Sequence, residues 1–515
     1  MSGQKQKYYV TTPIYYVNDR PHIGHVYTTT LADILARYHR LRGDEVFFLT
    51  GTDEHAAKVV ESAEANGVSP QQWADRNAAI FEQTFAKLGM SHDDFIRTSQ
   101  SRHTERVIQY VRALVQSGDV YEGEYEGWYD AGQEEYVTEN KAKEYDFHSP
   151  FNNKPLIRKK ETNYFFALSR YQQPLLDWID RHPDAIQPET RRNEVLGRIR
   201  DGLNDVPISR SGSGGWGITM PSDDSQTIYV WIDALFNYLT AIDTDDRRDF
   251  WPAHVHLIAK DILWFHAVIW PAMLLALKRP LPHQVYTHSF WISEGQKMSK
   301  SLGNFIDLEK IDQYVAEFGL DALRWYLATQ GPLGSTDSDF AHDKFVEVYN
   351  ADLANTLGNC ASRVTNMIVK YFDGRVPPSG RENAEARTVR AAAEAMYDKL
   401  DACYRTVGVA SANQAALDVV RAVDVYIEQT QPFRLAKDPE QRDRLGTILY
   451  HCAEALRIAS LGLYPTLPAK IEQLWQMLGL SYDTNAGDLP RWCRWGGLKT
   501  GTEVRKAALF PRMQN

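Results

Sequence analysis

The sequence predicts an α/β domain built on a parallel sheet, with a small inserted α+β domain and an all-α domain after it. Strand and amphipathic helix patterns alternate in residues 1–116 and again in 206–295, and a Tyr- and Gly-rich stretch separates these two halves. From residue 346 onward helical periodicity dominates. A chain of 515 residues is also too long for one hydrophobic core, because single cores stop growing near about 250 to 300 residues.

The first strand and helix are the clearest elements. Residues 8–14 read YYVTTPI, which is the β-branched and aromatic composition of a buried strand. Apolar residues then recur at helical spacing from Ile23 to Leu41, Gly43 stands where a C-terminal cap belongs, and EVFFLTG follows as a second strand. This βαβ unit predicts a parallel sheet, which binds its ligands at the carboxyl ends of the strands. The residues expected at that edge are His22, Gly24 and His25, together with Asp53, Glu54 and His55 after the second strand.

Later elements complete the domain plan. Residues 121–139 read as short strands and turns, and residues 227–239 and 255–276 return to alternating strands and helices. We therefore expect the sheet domain to be interrupted by an insertion and followed by a helical domain. The predicted ranges are 1–116 and 206–295 for the two halves of the sheet domain, 117–205 for the insertion, 296–345 for a lysine-containing connection, and 346–515 for the helical domain.

Composition restricts the class of protein. The net charge of -10 gives no global attraction to nucleic acid, and no apolar run approaches the roughly 18 residues that a membrane span needs. The N-terminus has no signal-peptide pattern, and the four cysteines are widely spaced without a Cys-x-x-Cys pair. We expect a cytoplasmic protein without a disulfide scaffold or a cysteine zinc knuckle.

Two short motifs have the composition of phosphate-binding loops. His22 and His25 lie at a predicted helix N-terminus, where unpaired N–H groups favour a phosphate, and Gly24 lets a ligand approach the backbone. The sequence KMSKS, residues 297–301, has two lysines that can neutralise a leaving pyrophosphate. Each motif has a simpler explanation, since isolated His-x-x-His pairs are usually structural and lysine loops are usually solvated surface. A zinc site would need further ligands, which the sequence does not reveal.

Together the two motifs identify a family. HIGH near the N-terminus with KMSKS downstream resembles the paired signature of class I aminoacyl-tRNA synthetases, and the methionyl-tRNA synthetase family is the most similar member. In the insertion, WYDAGQEEYVTE resembles the zinc-free subgroup of that family, and no cysteine precedes Cys360. The matching stretches are TTPIYYVNDRPHIGH, GTDEHAAKV, YVWIDALFNYL, IAKDILWFHAVIWPAML, KMSKSLGN, DALRWYLA, NTLGNCASRV and the closing LFPR. The resemblance implies a Rossmann-like catalytic domain, a connective-peptide insertion and a helical anticodon-binding domain. It also implies ATP-dependent ligation of methionine to methionine tRNA through methionyl-adenylate, with release of pyrophosphate and AMP.

The resemblance assigns roles in the ATP site. The residues implied for catalysis are His22, His25, Lys297 and Lys300. Those implied for ATP binding are the same four with Gly24, Asp261, Met298 and Ser299. The first step would be attack of the methionine carboxylate on the α-phosphorus, which needs positioning and charge stabilisation but no protein nucleophile. From the residues alone, Asp261 could equally be the cap of a helix start.

The resemblance also assigns an amino acid pocket. Its implied residues are Ile14, Tyr16, Asp53, Trp231, Ala234, Leu235, Tyr238, Ile262 and His266, with Asp53 as the carboxylate for the α-amino group. Without the family most of these would be interpreted as core residues. The insertion is too short for an editing domain, which favours methionine over valine, leucine and isoleucine. The cysteine enzyme is a weaker alternative, because it relies on zinc to select its thiol.

The implied anticodon contacts lie in the helical domain. They are Asn359, Arg363, Pro432 and Phe433, although relatives often have tryptophan where Phe433 stands. We expect ATP with Mg²⁺ as cofactors, no structural zinc, and both initiator and elongator methionine tRNA as substrates. We also expect a monomer, because no appended domain follows LFPR in this sequence. A catalytically silent tRNA-binding protein is the other alternative, and the intact histidines and lysines argue against it.

Overall fold

The computed structural model describes residues 5–18, 20–131, 135–137, 139–211, 215–221, 223–293, 295–298, 304–382, 384–506 and 508–513. The strands in chain order are β1 (Lys7–Tyr16), β2 (Glu45–Asp53), β3 (Asp94–Arg97), β4 (Val120–Asp130), β5 (Glu135–Val137), β6 (Ile157–Phe166), β7 (Ile186–Gln187), β8 (Val206–Pro207), β9 (Ser209–Ser211), β10 (Thr219–Met220), β11 (Asp223–Ile228), β12 (Val255–Ala259), β13 (Val285–His288), β14 (Trp291–Ser293), β15 (Gln296–Lys297) and β16 (Ser338–Phe340).

The α-helices are α1 (Ile23–Arg42), α2 (Ala57–Ala65), α3 (Pro70–Lys87), α4 (Ser101–Gln116), α5 (Glu139–Glu144), α6 (Gln172–Arg181), α7 (Glu189–Arg200), α8 (Val230–Leu235), α9 (Asn237–Thr240), α10 (Trp270–Ala276), α11 (Leu308–Phe318), α12 (Leu320–Gln330), α13 (His342–Val348), α14 (Asn359–Tyr371), α15 (Ala384–Glu394), α16 (Met396–Arg405), α17 (Val409–Thr430), α18 (Pro432–Leu435), α19 (Arg442–Leu463), α20 (Pro468–Met477) and α21 (Leu489–Trp492). Two π-helical segments, Phe265–Ile269 and Tyr349–Gly358, lead directly into α10 and α14.

A six-stranded parallel sheet forms the centre of the molecule. Its order is β3-β2-β1-β12-β13-β7, so the two predicted halves join where β1 pairs with β12. The direction of strand succession reverses at that junction, and such a reversal opens a crevice at the carboxyl ends of the strands. The edge strand β7 lies within the range predicted for the insertion, 117–205, although it pairs with β13 of the main sheet.

Helix α1 is fixed at both ends by local chemistry. His22 is its N-cap. The His22 side chain accepts a backbone N–H of the first turn, and the His25 side chain accepts the backbone N–H of His22, so the two form a capping box. At the other end Gly43 adopts the left-handed conformation, with φ of 107°, as predicted from its position. Because both ends are closed, the first turn of α1 has a defined orientation at the edge of the sheet.

Three smaller sheets surround the main one. The inserted segment forms the antiparallel sheet β5-β4-β6-β8, in which β4 and β6 pair along their length. Residues 209–228 form a second antiparallel sheet, β10-β11-β9, and β14 pairs with both β15 and β16. The last of these sheets carries the start of the lysine motif.

Two large hydrophobic cores stabilise the chain. One lies on the face of the main sheet that α4 and α10 cover, and it includes Trp270 and Phe236. The other runs without interruption from β1 and α1, through α12, into the helical domain as far as Phe510. The helical domain therefore shares a core with the helix that carries the two histidines. In the described part of the chain, no helix has both the length and the apolar character to cross a bilayer.

Candidate active site

A cavity of about 540 Å³ opens at the carboxyl ends of the central strands. It lies where the order of the main sheet reverses, between the ends of β1 and β12. Of the residues that the sequence predicted for the site, the cavity wall contains His22, Gly24, His25, Asp53, Asp261, Ile14, Tyr16, Trp231, Ala234, Leu235, Tyr238, Ile262 and His266. Residues from separate halves of the sheet domain thus line one cleft.

The two histidines are both a helix cap and part of the cavity wall. The backbone N–H of Gly24 donates to Nδ1 of His22 at 3.0 Å, and the N–H of His22 donates to Nδ1 of His25 at 3.2 Å. Since each Nδ1 accepts a hydrogen bond, the proton of each neutral ring is assigned to Nε2. Burial, with the neighbouring His22, lowers the pKa of His25 well below its ordinary value, so His25 is neutral. The capping box therefore leaves Nε2 as the donor atom of each ring.

Gly24 is required by close packing against the histidine cap. A Cβ added to Gly24 would lie 2.9 Å from Cε1 and 3.1 Å from Nδ1 of His22.

The segment that follows the lysine motif packs against the same turn. Ile23 donates its N–H to the carbonyl of Ile306 at 3.1 Å, and the rings of Phe305 and His22 meet edge to face with centroids 5.2 Å apart. The first turn of α1 is therefore hydrogen-bonded to the segment that follows the lysine motif.

The lysine motif is described only in part. Lys297 is exposed on β15, whereas Met298 is half-buried against the core that includes α1, and neither residue belongs to the cavity wall. Ser299 and Lys300 lie outside the described residues. The side-chain amide of Asn304 donates to the carbonyls of Ser293 and Lys297, both at 3.2 Å. This amide ties together the two strands from which the motif emerges.

Aromatic rings form the part of the cavity predicted for the amino acid side chain. The ring of Trp231 stacks on Phe265 at a centroid distance of 4.1 Å and meets Tyr16 edge to face at 6.0 Å. The hydroxyl of Tyr238 lies 2.7 Å from Nε2 of His266, whose Nδ1 lies 3.0 Å from the carbonyl of Ile262.

That carbonyl can only accept, so Nδ1 of His266 carries its proton and Nε2 accepts from Tyr238. Burial lowers the pKa of His266 to about 4, which keeps the ring neutral. This part of the cavity is a tube formed by Tyr16, Trp231, Tyr238 and His266. It is apolar and aromatic, with one neutral Tyr–His pair in its wall. Aromatic rings and a neutral polar pair suit a thioether.

Asp53 is the exception in this apolar setting. It is 2% exposed, and its Oδ1 is a buried acceptor without a hydrogen-bond partner among the described residues. Burial, followed by the nearby carboxylate of Asp233, raises the pKa of Asp53 well above its ordinary value. A buried, unsatisfied carboxyl oxygen at the wall of a cavity is a site for a positively charged hydrogen-bond donor.

A buried network behind Asp53 was not predicted from the sequence. Asp233 lies 2.6 Å from Nδ1 of His55 and 2.7 Å from Nε2 of His103. Glu54 accepts two hydrogen bonds from the guanidinium group of Arg97, at 2.7 and 3.0 Å. The signal in the sequence was an aspartate inside the apolar stretch YVWIDALFNYL. Its partners could not be identified, because they lie 178 and 130 residues away.

Further wall residues were also missed. The cavity is lined by Asn18, Asn237, His288, Ser289, Phe290 and Phe305 in addition to the predicted set. The side-chain Oδ1 of Asn237 has no partner among the described residues, and Nε2 of His288 lies 2.7 Å from the hydroxyl of Thr28. Asp261, which was predicted, is the central residue of the short 3-10 turn Lys260–Ile262, and its carboxyl group accepts the backbone N–H of Ile262.

The residues predicted for the anticodon lie on two helices, α14 and α18. Asn359 is exposed at the start of α14, and Arg363 lies one turn further on. Arg363 pairs with Asp424 at 3.3 Å and with Glu428 at 2.6 Å, both on α17. Directly after α17 come Pro432, which is buried, and Phe433, which is 42% exposed. Arg363 is therefore engaged by acids in this structure.

Comparison with known proteins agrees with this geometry. The family described as tRNA synthetases class I (M) matches residues 8–145 and 145–365. The methionine–tRNA ligase of Caldanaerobacter subterraneus is 42% identical over 99% of this chain and 79% of its own length. That of Streptomyces coelicolor is also 42% identical, over 98% of this chain and 97% of its own.

Solved structures show the same similarity. The Mycobacterium tuberculosis methionyl-tRNA synthetase in complex with methionyl-adenylate is 35% identical, with a TM-score of 0.90 over 98% of this chain and 100% of that one. The apo form of the enzyme from the same organism is 32% identical, with a TM-score of 0.85 over the full length of both chains.

Proposed function

The chain belongs to the methionyl-tRNA synthetase family of class I tRNA synthetases, and from this premise we propose how its cavity activates methionine. The reaction is ATP-dependent ligation of methionine to its tRNA through methionyl-adenylate. In the first step a methionine carboxylate oxygen bonds to the α-phosphorus of ATP, and the bond from that phosphorus to the β-phosphate oxygen breaks. Pyrophosphate leaves, and transfer to the tRNA then releases AMP.

The unpaired Oδ1 of Asp53 is the observation that carries the proposed orientation of methionine. The ammonium group bonds to Asp53, and the side chain extends into the tube formed by Tyr16, Trp231, Tyr238 and His266. The remaining residues proposed for this pocket are Ile14, Ala234, Leu235 and Ile262. With its amine held, the substrate points its carboxylate toward the first turn of α1. Holding the reacting groups in this way can supply several kcal/mol of the barrier reduction.

The first turn of α1 is proposed to bind the phosphates. The helix N-terminus and the Nε2–H donors of His22 and His25 face charge that grows on the phosphoryl oxygens, and they are already oriented by the capping box. Gly24 leaves room for the nucleotide, and Asp261, which also lines the cavity, is proposed to bind it. Lys297 and Lys300 would close on the pyrophosphate, with Met298 and Ser299 completing that loop.

Mg²⁺ is proposed to arrive with ATP, because phosphate oxygens are its preferred ligands. We propose no structural zinc, since the sequence has no cysteine before Cys360 to provide thiolate ligands in the insertion. Metal analysis of the purified protein tests this: a stoichiometric zinc content would contradict it.

The tRNA contacts are proposed for the helical domain. Asn359 and Arg363 lie on α14, Pro432 and Phe433 lie on α18, and the exposed ring of Phe433 can stack on an unpaired base. For Arg363 to read a base it must exchange at least one of its acidic partners for the nucleotide. We propose that a cytoplasmic monomer acts on initiator and elongator methionine tRNA. Sedimentation at micromolar concentration tests the monomer.

Amino-acid-dependent ATP–pyrophosphate exchange tests the function. Methionine should support exchange far better than the other nineteen standard amino acids, and a preference for any of them would overturn the proposal. Asp53→Asn removes the negative charge but keeps the shape, so KM for methionine should rise on the order of a hundredfold while KM for ATP changes little.

Lys297→Ala tests the lysine motif. It should lower kcat for pyrophosphate exchange far more than it raises KM for methionine, because its charge acts on the leaving group. Lys344→Ala is a matched control, since Lys344 is an exposed lysine that pairs only with the neighbouring helical residue Glu347 among the described residues. Equal rates for both variants would contradict the assigned role.

A further inference from the structure

We propose that methionine binding is a proton exchange: Asp53 is a neutral carboxylic acid in the empty cavity and gives up its proton when the ammonium group arrives. Asp233 is a positioning residue that favours this state together with burial, acting through Asp53. The inference rests on the proposed function, because it takes Asp53 as the ligand of the methionine ammonium group.

The described basic side chains near Asp53 pair with its acidic neighbours, Glu54 and Asp233, and not with Asp53. Three carboxyl groups are at most 2% exposed in this region: that of Asp53 in the cavity wall, and those of Glu54 and Asp233 behind it. Glu54 accepts two hydrogen bonds from the Arg97 guanidinium group. Each carboxylate oxygen of Asp233 lies within hydrogen-bonding distance of one imidazole, that of His55 or that of His103. Among the described residues, no lysine, arginine or histidine pairs with Asp53. The missing cation is the one that the substrate brings.

A lone carboxylate in such a place takes up a proton, because burying an uncompensated charge costs several kcal/mol. Burial and the Asp233 carboxylate raise the pKa of Asp53 well above its ordinary value, and the N–H of His55 only partly opposes them. For Asp233 the balance is opposite: burial acts to raise its pKa, but His55 and His103 outweigh burial and lower it. The negative charge of the cluster therefore resides on Asp233.

The other groups around Asp53 do not replace the missing cation. Burial acts to lower the pKa of His55, but the carboxylate of Asp233 outweighs burial and the pKa is raised. His55 is therefore the ion-pair partner of Asp233 and not of Asp53. Glu54 adds a further negative charge, which Arg97 neutralises. His25 and His266, which line the same cavity, are neutral because burial lowers their pKa.

The exchange is balanced without any covalent change in the substrate. The O–H bond of Asp53 breaks, its proton goes to bulk water, and the resulting carboxylate accepts a hydrogen bond from the intact ammonium group. Below the pKa of the empty-site Asp53, binding therefore releases one proton. Over that range the dissociation constant of methionine should fall about tenfold for each unit that the pH rises.

Titration calorimetry with the full chain and methionine alone tests this, in two buffers with different ionisation enthalpies at about pH 7. We expect release of about one proton per methionine bound. Asp233→Asn should still bind methionine, and over a series of pH values the pH at which proton release is half lost should move downward, because one of the two main influences that raise the pKa of Asp53 is removed while burial remains. Thr240→Val is the matched control: Thr240 bonds to His103 at 2.7 Å in the same network, and its replacement changes no charge. Its proton release should equal that of the parent.

The outcomes separate this inference from the proposed function. Binding by the parent without proton release would overturn the inference, and an unmoved midpoint of proton release in Asp233→Asn would remove Asp233 from it. Unchanged methionine affinity in Asp53→Asn would instead overturn the assignment of Asp53 itself. If Asp233→Asn does not fold, His55→Gln replaces it: the pH at which proton release is half lost should move upward, and an unmoved midpoint would refute the role of the network.

Discussion

Replacing Gly24 by alanine tests the role of the histidine turn most directly. The added methyl carbon would lie 2.9 Å from Cε1 of His22, whereas carbon atoms pack at about 3.5 to 4.0 Å. The ring must therefore shift by roughly half an ångström or more. The shift strains the hydrogen bond from the Gly24 N–H to Nδ1, whose loss costs about 1 kcal/mol, typical of an N-cap.

The expected result is a separation of activity from stability. Alanine favours a helix by up to about 1 kcal/mol over glycine, which offsets most of the lost cap. The Nε2–H of His22, however, moves away from the phosphoryl oxygens, and a displacement of about 1 Å can cost on the order of a hundredfold in rate. We expect kcat to fall about tenfold to a hundredfold, with the free energy of unfolding changed by less than about 1 kcal/mol.

Pyrophosphate exchange at saturating methionine and ATP measures the first quantity, and urea unfolding measures the second. Gly197→Ala on α7 is the control, because a Cβ there meets no atom within 4 Å. That variant should keep its kcat and gain slightly in stability. If Gly24→Ala retained kcat within about twofold of the parent, the position of His22 would not limit the reaction and the argument would fail.

Four further outcomes are expected. Arg324→Met leaves the buried Asp33 without its main partner, 2.7 Å away, and should lower the free energy of unfolding by about 3 to 5 kcal/mol in urea. Burial acts to raise the pKa of Asp33, but Arg324 and Arg37 outweigh it and hold the pKa below the ordinary value. The parent thus keeps this stability above about pH 4 and loses it as the pH falls through the folded-state pKa, so acid unfolding of Arg324→Met should begin at a higher pH. Phe433→Ala should lower kcat/KM for tRNA aminoacylation by about 5-fold to 150-fold through lost stacking and leave pyrophosphate exchange unchanged, and equal aminoacylation would exclude a stacking role. Tyr238→Phe removes the donor to His266 and should raise KM for methionine by about 5-fold to 150-fold, with little change in KM for ATP.

Local patterns predicted the elements whose causes are local. The capping residues and apolar spacing of α1 lie within its own sequence, so its start at Ile23 and its end before Gly43 could be foreseen. The pairing of β7 with the main sheet could not be foreseen. This strand has two residues within the predicted insertion, and nothing in them indicates that Ile186 pairs with Val285, which lies 99 residues further along the chain. Strand pairing of that kind is decided by tertiary packing.

The site shows the same division. Its phosphate-binding motifs and pocket residues were assigned by family resemblance, and most of them line one cavity. The buried network of Asp233, His55 and His103 was missed, since a charged residue in an apolar stretch reveals that it needs partners but not which ones. The absence of Lys297 from the cavity wall also could not be foreseen, because the sequence does not specify how far a loop lies from a cleft.

The core that α1 shares with the helical domain limits how the chain can be divided. Near the C-terminal end of α1, the ring of Tyr38 stacks on that of Tyr404 with centroids 3.9 Å apart, and its hydroxyl donates a hydrogen bond to Asp401. Arg42 forms an ion pair with the same aspartate. Cutting the chain before residue 346 would uncover these apolar and charged surfaces on the helix that holds His22. Chimaeras that exchange the helical half between relatives should therefore be designed with α1 included in the donated segment, or its buried face redesigned to match.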